Sequence, residues 1–234
     1  MLILALDTSS AAGSAAVVRD GVVLAERAGD PSRTHGERLP RELMAVLAEA
    51  GAELSDVDRF AVSVGPGSFT GLRVGIATIQ GLAMARRTLV TPVSSFEALA
   101  WFSRATADGV ATWVDAHRGE VFAALFDGDG HTIVEPPTSL TPERTIEAWT
   151  AALQARPRVR WMGDGAARYR DVILAGAGAG TIVDETNRPL AGAIGAIASA
   201  APDRAVRPHA LVPLYVRRSD AELARDRRET ARKT

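Results

Sequence analysis

Residues 110–130 read "VATWVDAHRGEVFAALFDGDG", and residues 3–21 read "ILALDTSSAAGSAAVVRDG". Both run through an apolar strand-like segment, an aspartate, a turn, a second apolar segment and an Asp-Gly pair, a strong hairpin signal. Asp7 precedes Asp20-Gly21 by 13 residues, and Asp115 precedes Asp127-Gly128 by 12. Helical patterns follow each unit. Two like β-rich units, each followed by helices, predict a duplicated α/β fold with a cleft between its halves. The expected division is an N-terminal subdomain over 1–104, a C-terminal subdomain over 105–220, and a charged tail over 221–234 whose composition reads as disordered.

The first unit continues with "VVLAERAG" and then "THGERLPRELMAVLAEAG", where Leu39, Leu43, Val46 and Leu47 fall at helical spacing. Thr34 and Glu37 fit a capping box, Gly51 a C-terminal cap, and Pro40 predicts a kink or a late start. "RFAVSVG" and "LVTPVSS" read as strands, and "TGLRVGIATIQGLAMARR" and "FEALAWFSRAT" as helices. In the second unit, "TPERTIEAWTAALQAR" and "LAGAIGAIASAA" read as helices and "RVRWMGDGA" as a strand.

Composition narrows the function classes. The 234 residues are 47% hydrophobic and 24% charged with a net charge of −1, so no global basic field points to nucleic acid or an anionic membrane. The absence of cysteine excludes disulfides, thiol catalysis and thiolate metal sites. The apolar start lasts six residues before Asp7, too short for a signal-peptide core or a membrane span. A cytoplasmic location is the expectation. Lys233 is the only lysine and lies on the charged tail, which removes lysine chemistry.

Residues 63–75, "SVGPGSFTGLRVG", pose the choice between a phosphate cradle and a plain strand-to-helix turn. The P-loop pattern fails, because Gly67 and Gly71 are four apart and Leu72 stands where lysine is needed. The dinucleotide fingerprint fails at Thr70. The favoured reading is a turn in which Ser68 or Thr70 caps a helix and the glycines permit the bend. Residues 71–86 carry few polar side chains, namely Arg73, Thr78, Gln80 and Arg86. Gly71/Gly75 and Ala77/Gly81/Ala85 have the small-residue spacing that admits a close neighbour. Such a helix is covered on two sides, by its own domain or by a partner chain.

Asp7, with Thr8 after it, reads equally as a holder of a metal–phosphate group and as a cap of its turn. Asp115 at the equivalent point of the second unit favours the former. Paired aspartates across a cleft are the arrangement of actin-like and sugar-kinase-like ATPases, where "MGDGA", with Gly163, Asp164 and Gly165, would take the adenosine position. Yet "DAHRGEVF" puts a bulky basic stretch where a second phosphate loop belongs. His35, His117, His131 and His209 form no zinc-ligand spacing, and Ser68 is not in a nucleophile elbow. Neither a catalytic residue set nor a metal site is readable.

Six stretches, "ILALDTSSAAGSAAVV", "RTHGERLPREL", "VGPGSFTGLRVGIATIQGLA", "PVSSFEALA", "VDAHRGEVFAALF" and "PLYVRRSDAE", together resemble the TsaB (YeaZ) family in order and over most of the chain. The resemblance implies a duplicated actin-like (ASKHA, RNase H-like) fold. It also implies a role in the bacterial system that places threonylcarbamoyl on the tRNA adenosine next to the anticodon. The catalytic paralogue TsaD carries a metal-binding histidine pair; here Ser95 and Leu99 stand in its place, and they cannot replace two imidazoles. The implied part is therefore a non-catalytic partner that binds and activates TsaD, with the ATPase TsaE docking on the pair and tRNA met only through the complex. It would have no cofactor of its own, ATP or ADP being left to the assembled complex, and it would form a homodimer when alone. In that family the first two helices form the interface, which here selects His35, Leu39, Leu43, Val46, Leu47, Leu72, Arg73, Ile76, Ile79, Gln80 and Ala83. The rival expectation is an ATP-binding phosphotransferase or ATPase using Asp7 and Asp115.

Overall fold

A computed structural model describes residues 1–217. The tail expected over 221–234 lies outside the described residues. The first half contains β1 (Leu2–Asp7), β2 (Ser14–Arg19), β3 (Val22–Ala28), α1 (His35–Glu49), β4 (Arg59–Ser63), α2 (Phe69–Arg86), β5 (Val90–Val93) and α3 (Ser95–Trp101). The second half contains β6 (Gly109–Asp115), β7 (Val121–Asp127), β8 (Ile133–Leu140), α4 (Pro142–Ala148), α5 (Thr150–Gln154), β9 (Val159–Met162), α6 (Asp164–Arg168), α7 (Arg170–Gly176) and β10 (Thr181–Val183). A last helix, α8 (Ala191–Ala200), follows.

The strand orders are β3-β2-β1-β4-β5 and β10-β9-β6-β7-β8. In each sheet the first strand pairs antiparallel with the second and parallel with the fourth. The second sheet is therefore the first repeated, with β6 in the place of β1. Asp7 ends β1 and Asp115 ends β6, at equivalent points. The two sheets and flanking helices form the duplicated α/β fold that the repeated stretches predict and the actin-like architecture that the family resemblance implies.

Strand β1 is buried along its whole length because it is covered on both faces. Leu2, Leu4 and Leu6 point into a core formed with α1 and α2. Ile3 and Ala5 point the other way, under α8, as the two-residue side-chain period of a strand requires. Helix α8 can lie this close because it is built from Ala, Gly and Ile with a single Ser. A Cβ on Gly195 would run into the Val18 side chain. Although α8 belongs to the second half in sequence, it packs on β1, β2 and β3. Of the C-terminal subdomain expected over 105–220, α8 therefore packs on the first sheet, where with α3 it covers the apolar face opposite α1 and α2.

Helix α1 begins at His35 with the Thr34/Glu37 capping box, ahead of Pro40 rather than at it. It closes on a Schellman motif at Gly51 (φ 64°), with Ala52 N–H bonded to Leu47 O and Gly51 N–H to Ala48 O. Strand β8 was not foreseen. Its Pro136 and Pro137 argue against a strand, and it is tolerated because β8 is an edge strand. The core of the second half is dominated by Trp113, Trp149 and Trp161, whose rings lie 4.9–6.4 Å apart.

Helix α2 approaches the β1–β2 loop closely. A Cβ on Gly75 would fall on Thr8 Oγ1, and one on Gly71 on the Thr8 carbonyl. Gly75→Ala is therefore expected to cost about 1–3 kcal/mol in urea unfolding, the usual penalty of overpacking a tight contact. Thr8→Ala in the same chain should recover part of it, and a loss no greater than 0.5 kcal/mol (about the noise of a surface substitution) would contradict the contact.

Candidate functional site

Between the halves lies a cleft of about 260 Å³. Its walls come from the β1–β2 loop (Asp7, Ser9, Ser10, Gly13), from α3 (Ser95, Leu99), from the β9–α6 turn (Gly163, Asp164) and from residues 185–190. Asp7 lies at its base, 2% exposed. Burial pushes its carboxyl above the ordinary aspartate value, opposed by hydrogen bonds from Ser9 and Ser63. The Ser9 amide donates to Asp7 Oδ1 at 2.9 Å, the expected turn-capping bond. Ser63 and Ser95 share a buried hydroxyl contact of 2.9 Å. Ser95 is thus a buried hydroxyl engaged with Ser63 at the wall of the cleft, beside the apolar Leu99.

The glycine loop settles as a turn. Ser68 Oγ caps α2 by accepting from the Gly71 amide at 3.2 Å. The Ser68 amide donates to Ser9 O at 2.7 Å, and the Leu72 amide to Ser68 O at 2.9 Å. A phosphate cradle needs such amides directed outward; these three are already spent. Thr8, foreseen beside a nucleotide, is fully buried and packs under α2 instead.

Asp115 is not among the residues lining the cleft beside Asp7. It accepts from Arg168 Nη1 at 2.8 Å and from the His117 amide at 3.0 Å. Asp164 Oδ1 takes the amides of Asp115 and Gly165, so it ties the β9–α6 turn to the end of β6. Gly163, at φ 104°, and Gly165 let that turn sit directly against β6. The fold implies a nucleotide here, and these residues do not fit one. Arg168 already neutralises Asp115 and Arg170 pairs with Glu185, Asp164 adds a carboxylate to the rim, and the cleft's basic lining residue, Arg188, is itself paired with Asp184. The β6–β7 turn is a short bend with His117 and Arg118 at positive φ rather than a row of glycine amides.

One functional-looking cluster was missed. Arg38 is 3% exposed, and its guanidinium bonds Ala11 O, Ala12 O, both oxygens of Glu42 and His35 Nδ1. His35 Nε2 lies 3.1 Å from Ser10 O. With Nδ1 accepting from arginine, Nε2 carries the proton and donates. Gly13 and Gly71 leave the space that this ring fills. The visible signal was Arg38 and Glu42, four apart beside the apolar stripe of α1.

The expected interface set needs correction. Leu39, Leu43, Val46, Leu47, Leu72, Ile76, Ile79 and Ala83 are all at most 5% exposed and face the chain's own core. The periodicity was real, but it marked the side packed on the first sheet. Gln80 donates to Pro208 O at 2.9 Å, and Arg73 reaches the Tyr215 hydroxyl at 3.4 Å. The outward side of α2 holds Phe69, Thr70, Arg73, Ala77, Gly81, Met84 and Ala85, with Met44 exposed on α1. Met84 is 65% and Met44 46% exposed. Of the small-residue pairs, Gly71/Gly75 admit the chain's own loop, and Ala77/Gly81/Ala85 face outward.

Two pH effects follow. Burial, then the nearby Arg38 charge, holds His35 below the ordinary imidazole value of 6.5. The unfolded chain binds that proton more tightly, so this contribution to stability is complete above about pH 6.5 and declines as pH falls below it. His35→Gln should flatten the Tm-versus-pH curve between pH 7 and 5; an unchanged slope would refute the half-buried neutral ring. Asp7 has the opposite sign. Its raised value means the charged form opposes folding, so Asp7→Asn should be at least as stable as the parent at pH 7, the gain vanishing toward pH 3.

A family model described as TsaD, tRNA N6-adenosine threonylcarbamoyltransferase, matches residues 24–179. An uncharacterized protein of Mycobacterium tuberculosis is 34% identical over 94% of this chain and 93% of its own length. The tRNA threonylcarbamoyladenosine biosynthesis protein TsaB of Bacillus subtilis is 28% identical over 95% and 96%. YeaZ from Pseudomonas aeruginosa superposes with a TM-score of 0.76 at 31% identity, covering 92% of this chain and 99% of that one. A Clostridium difficile dehydratase activator with bound ADPNP, TM-score 0.50 at 12% identity over 87% and 95%, shares the fold alone. The chain belongs to the TsaB (YeaZ) family, within the wider group that the TsaD model describes.

Proposed function

We propose that this chain serves threonylcarbamoyladenosine formation on tRNA as a non-catalytic partner that binds and activates TsaD in the cytoplasm. TsaE would dock on the pair, and tRNA would be met only through the complex. The observation that carries this reading is the outward side of α2. A helix packed on one side of a sheet normally shows charges to water. Here the exposed positions are mostly small or apolar, and Arg73 and Arg86 are the only charged residues in the helix. Met84, Ala77 and Gly81 leave a surface on which another helix can lie closely, and Met44 is exposed on α1. Methionines suit such surfaces because they adapt their shape at little cost.

The chemistry of the cleft supports the same reading. The nucleotide-like frame keeps Asp7 but couples Asp115 to Arg168, and Ser95 and Leu99 supply no metal ligands. Among the described residues, no group of three or more His, Asp or Glu side chains could hold a metal ion, and no helix is long and apolar enough to cross a membrane. The contribution to the reaction would be conformational, by favouring the active arrangement of TsaD's own helices.

Light scattering coupled to size-exclusion chromatography tests this on the chain alone and mixed with TsaD of the same organism. A heterodimer is expected, and Met84→Asp should weaken it about 10- to 100-fold, the cost of placing a charge at the centre of an interface. Leu43→Asp should instead unfold the chain, since Leu43 is core. Loss of nothing on Met84→Asp, or no complex at all, would overturn the proposal.

A further inference from the structure

The segment from Ala205 to Arg217 starts on the first half and ends on the second. Val206 pairs antiparallel with Val90 through bonds of 2.9 and 2.8 Å. Pro208 O accepts from Gln80 of α2, and Leu211 is buried in the core beneath α1 and α2. The Leu214 amide donates to Val64 O at 2.7 Å. The Leu214 side chain then touches two separate cores, one under α2 and one between α3 and β6–β7. At Arg217 the segment reaches the β6–β7 turn, where Nη1 donates to Glu120 Oε2 at 2.9 Å and Nη2 to Ala116 O at 3.3 Å. That turn follows Asp115 directly.

Between these anchors, Tyr215 lies against the first turn of α2. Its ring centroid is 5.9 Å from that of Phe69, and its hydroxyl is 3.4 Å from both Arg73 Nε and Nη2. The Arg73 guanidinium carbon sits 3.8 Å above the Phe69 ring. Phe69, Arg73 and Tyr215 are all exposed, so anything seated on the outward side of α2 at this end touches the segment as well.

We propose that residues 211–217 are a strap that sets the angle between the two halves, and that a protein seated on α2 adjusts this angle through Phe69, Arg73 and Tyr215. Halves of a chain joined over a modest interface move relative to one another unless something holds them. The strap's anchors differ in strength. Leu214 is fixed by a backbone bond and partial burial, whereas the far end rests on partly buried Val216, an Arg217 contact with Phe122 and Ala116 O, and the half-exposed Arg217–Glu120 ion pair, a kind that contributes little and is readily exchanged. The second anchor is thus the one to release, and Tyr215 is two residues from it. The identity of the seated protein rests on the partner reading above; the strap itself does not.

The chain has no cysteine, so one exposed site in each half, Arg19→Cys and Glu143→Cys, accepts spin labels cleanly. The distance distribution between them, measured by pulsed dipolar spectroscopy, is expected to broaden in Arg217→Ala and in Glu120→Gln. It should broaden also in Tyr215→Ala, which keeps the ion pair. Unfolding temperatures within a few degrees of the parent, expected for surface changes of this kind, exclude general loosening. Unchanged widths in all three variants overturn the strap, and broadening with Arg217 and Glu120 but not Tyr215 overturns its link to α2. TsaD should narrow the distribution of the parent but not of Tyr215→Ala. Should TsaD fail to bind while the three variants broaden, the partner reading falls and the strap stands.

Discussion

The end of β1 is where the architecture is decided. Asp7, Thr8 and Ser9 turn there under the first two turns of α2, and only glycine at 71 and 75 permits that approach. Arg38 reaches across from α1 to hold the next residues through Ala11 O and Ala12 O, and His35 fills the gap against Ser10. One short loop is therefore gripped by two helices. A buried arginine is costly unless its donors are met, and here Glu42, two carbonyls and an imidazole meet most of them.

That constraint gives the two sides of the helices different uses. Their inner sides are committed to the first sheet and to the Thr8 loop. Their outer sides carry Met44, Ala77, Gly81 and Met84 between the exposed charges Arg41, Arg73 and Arg86, an apolar strip that no other described residue covers. The same grip uses the amides of the glycine loop and places Thr8 beneath α2, which removes two elements a nucleotide would need. A fold shared with ATP-binding proteins thus becomes, in the proposed reading, a surface for another protein.

Much of this was legible in sequence. The repeated Asp…Asp-Gly pattern carried the duplicated topology, because turn chemistry and strand alternation are local signals. Ser68 and the Thr34/Glu37 box were readable for the same reason. The direction of the α1 and α2 stripes was not, since periodicity tells that a helix has an apolar side without telling what covers it. Leu43 and Ile76 read as interface and turn out to be core; Ala77, read with Gly81 and Ala85 as admitting a close neighbour, faces outward, and so does Met84, which no pattern singled out. Strand β8 was hidden by Pro136 and Pro137. The return of α8 to the first sheet and the pairing of Arg168 with Asp115 depend on residues far apart in the chain, 53 for the latter, and no local pattern reports them.

The most direct measurement is amide hydrogen exchange on this chain with and without TsaD. The account predicts slowed exchange over α1, α2 and residues 212–217, with little change in the cleft loops at 9–13, 163–167 and 185–190. Protection confined to those cleft loops, brought about by ATP and indifferent to TsaD, would contradict it.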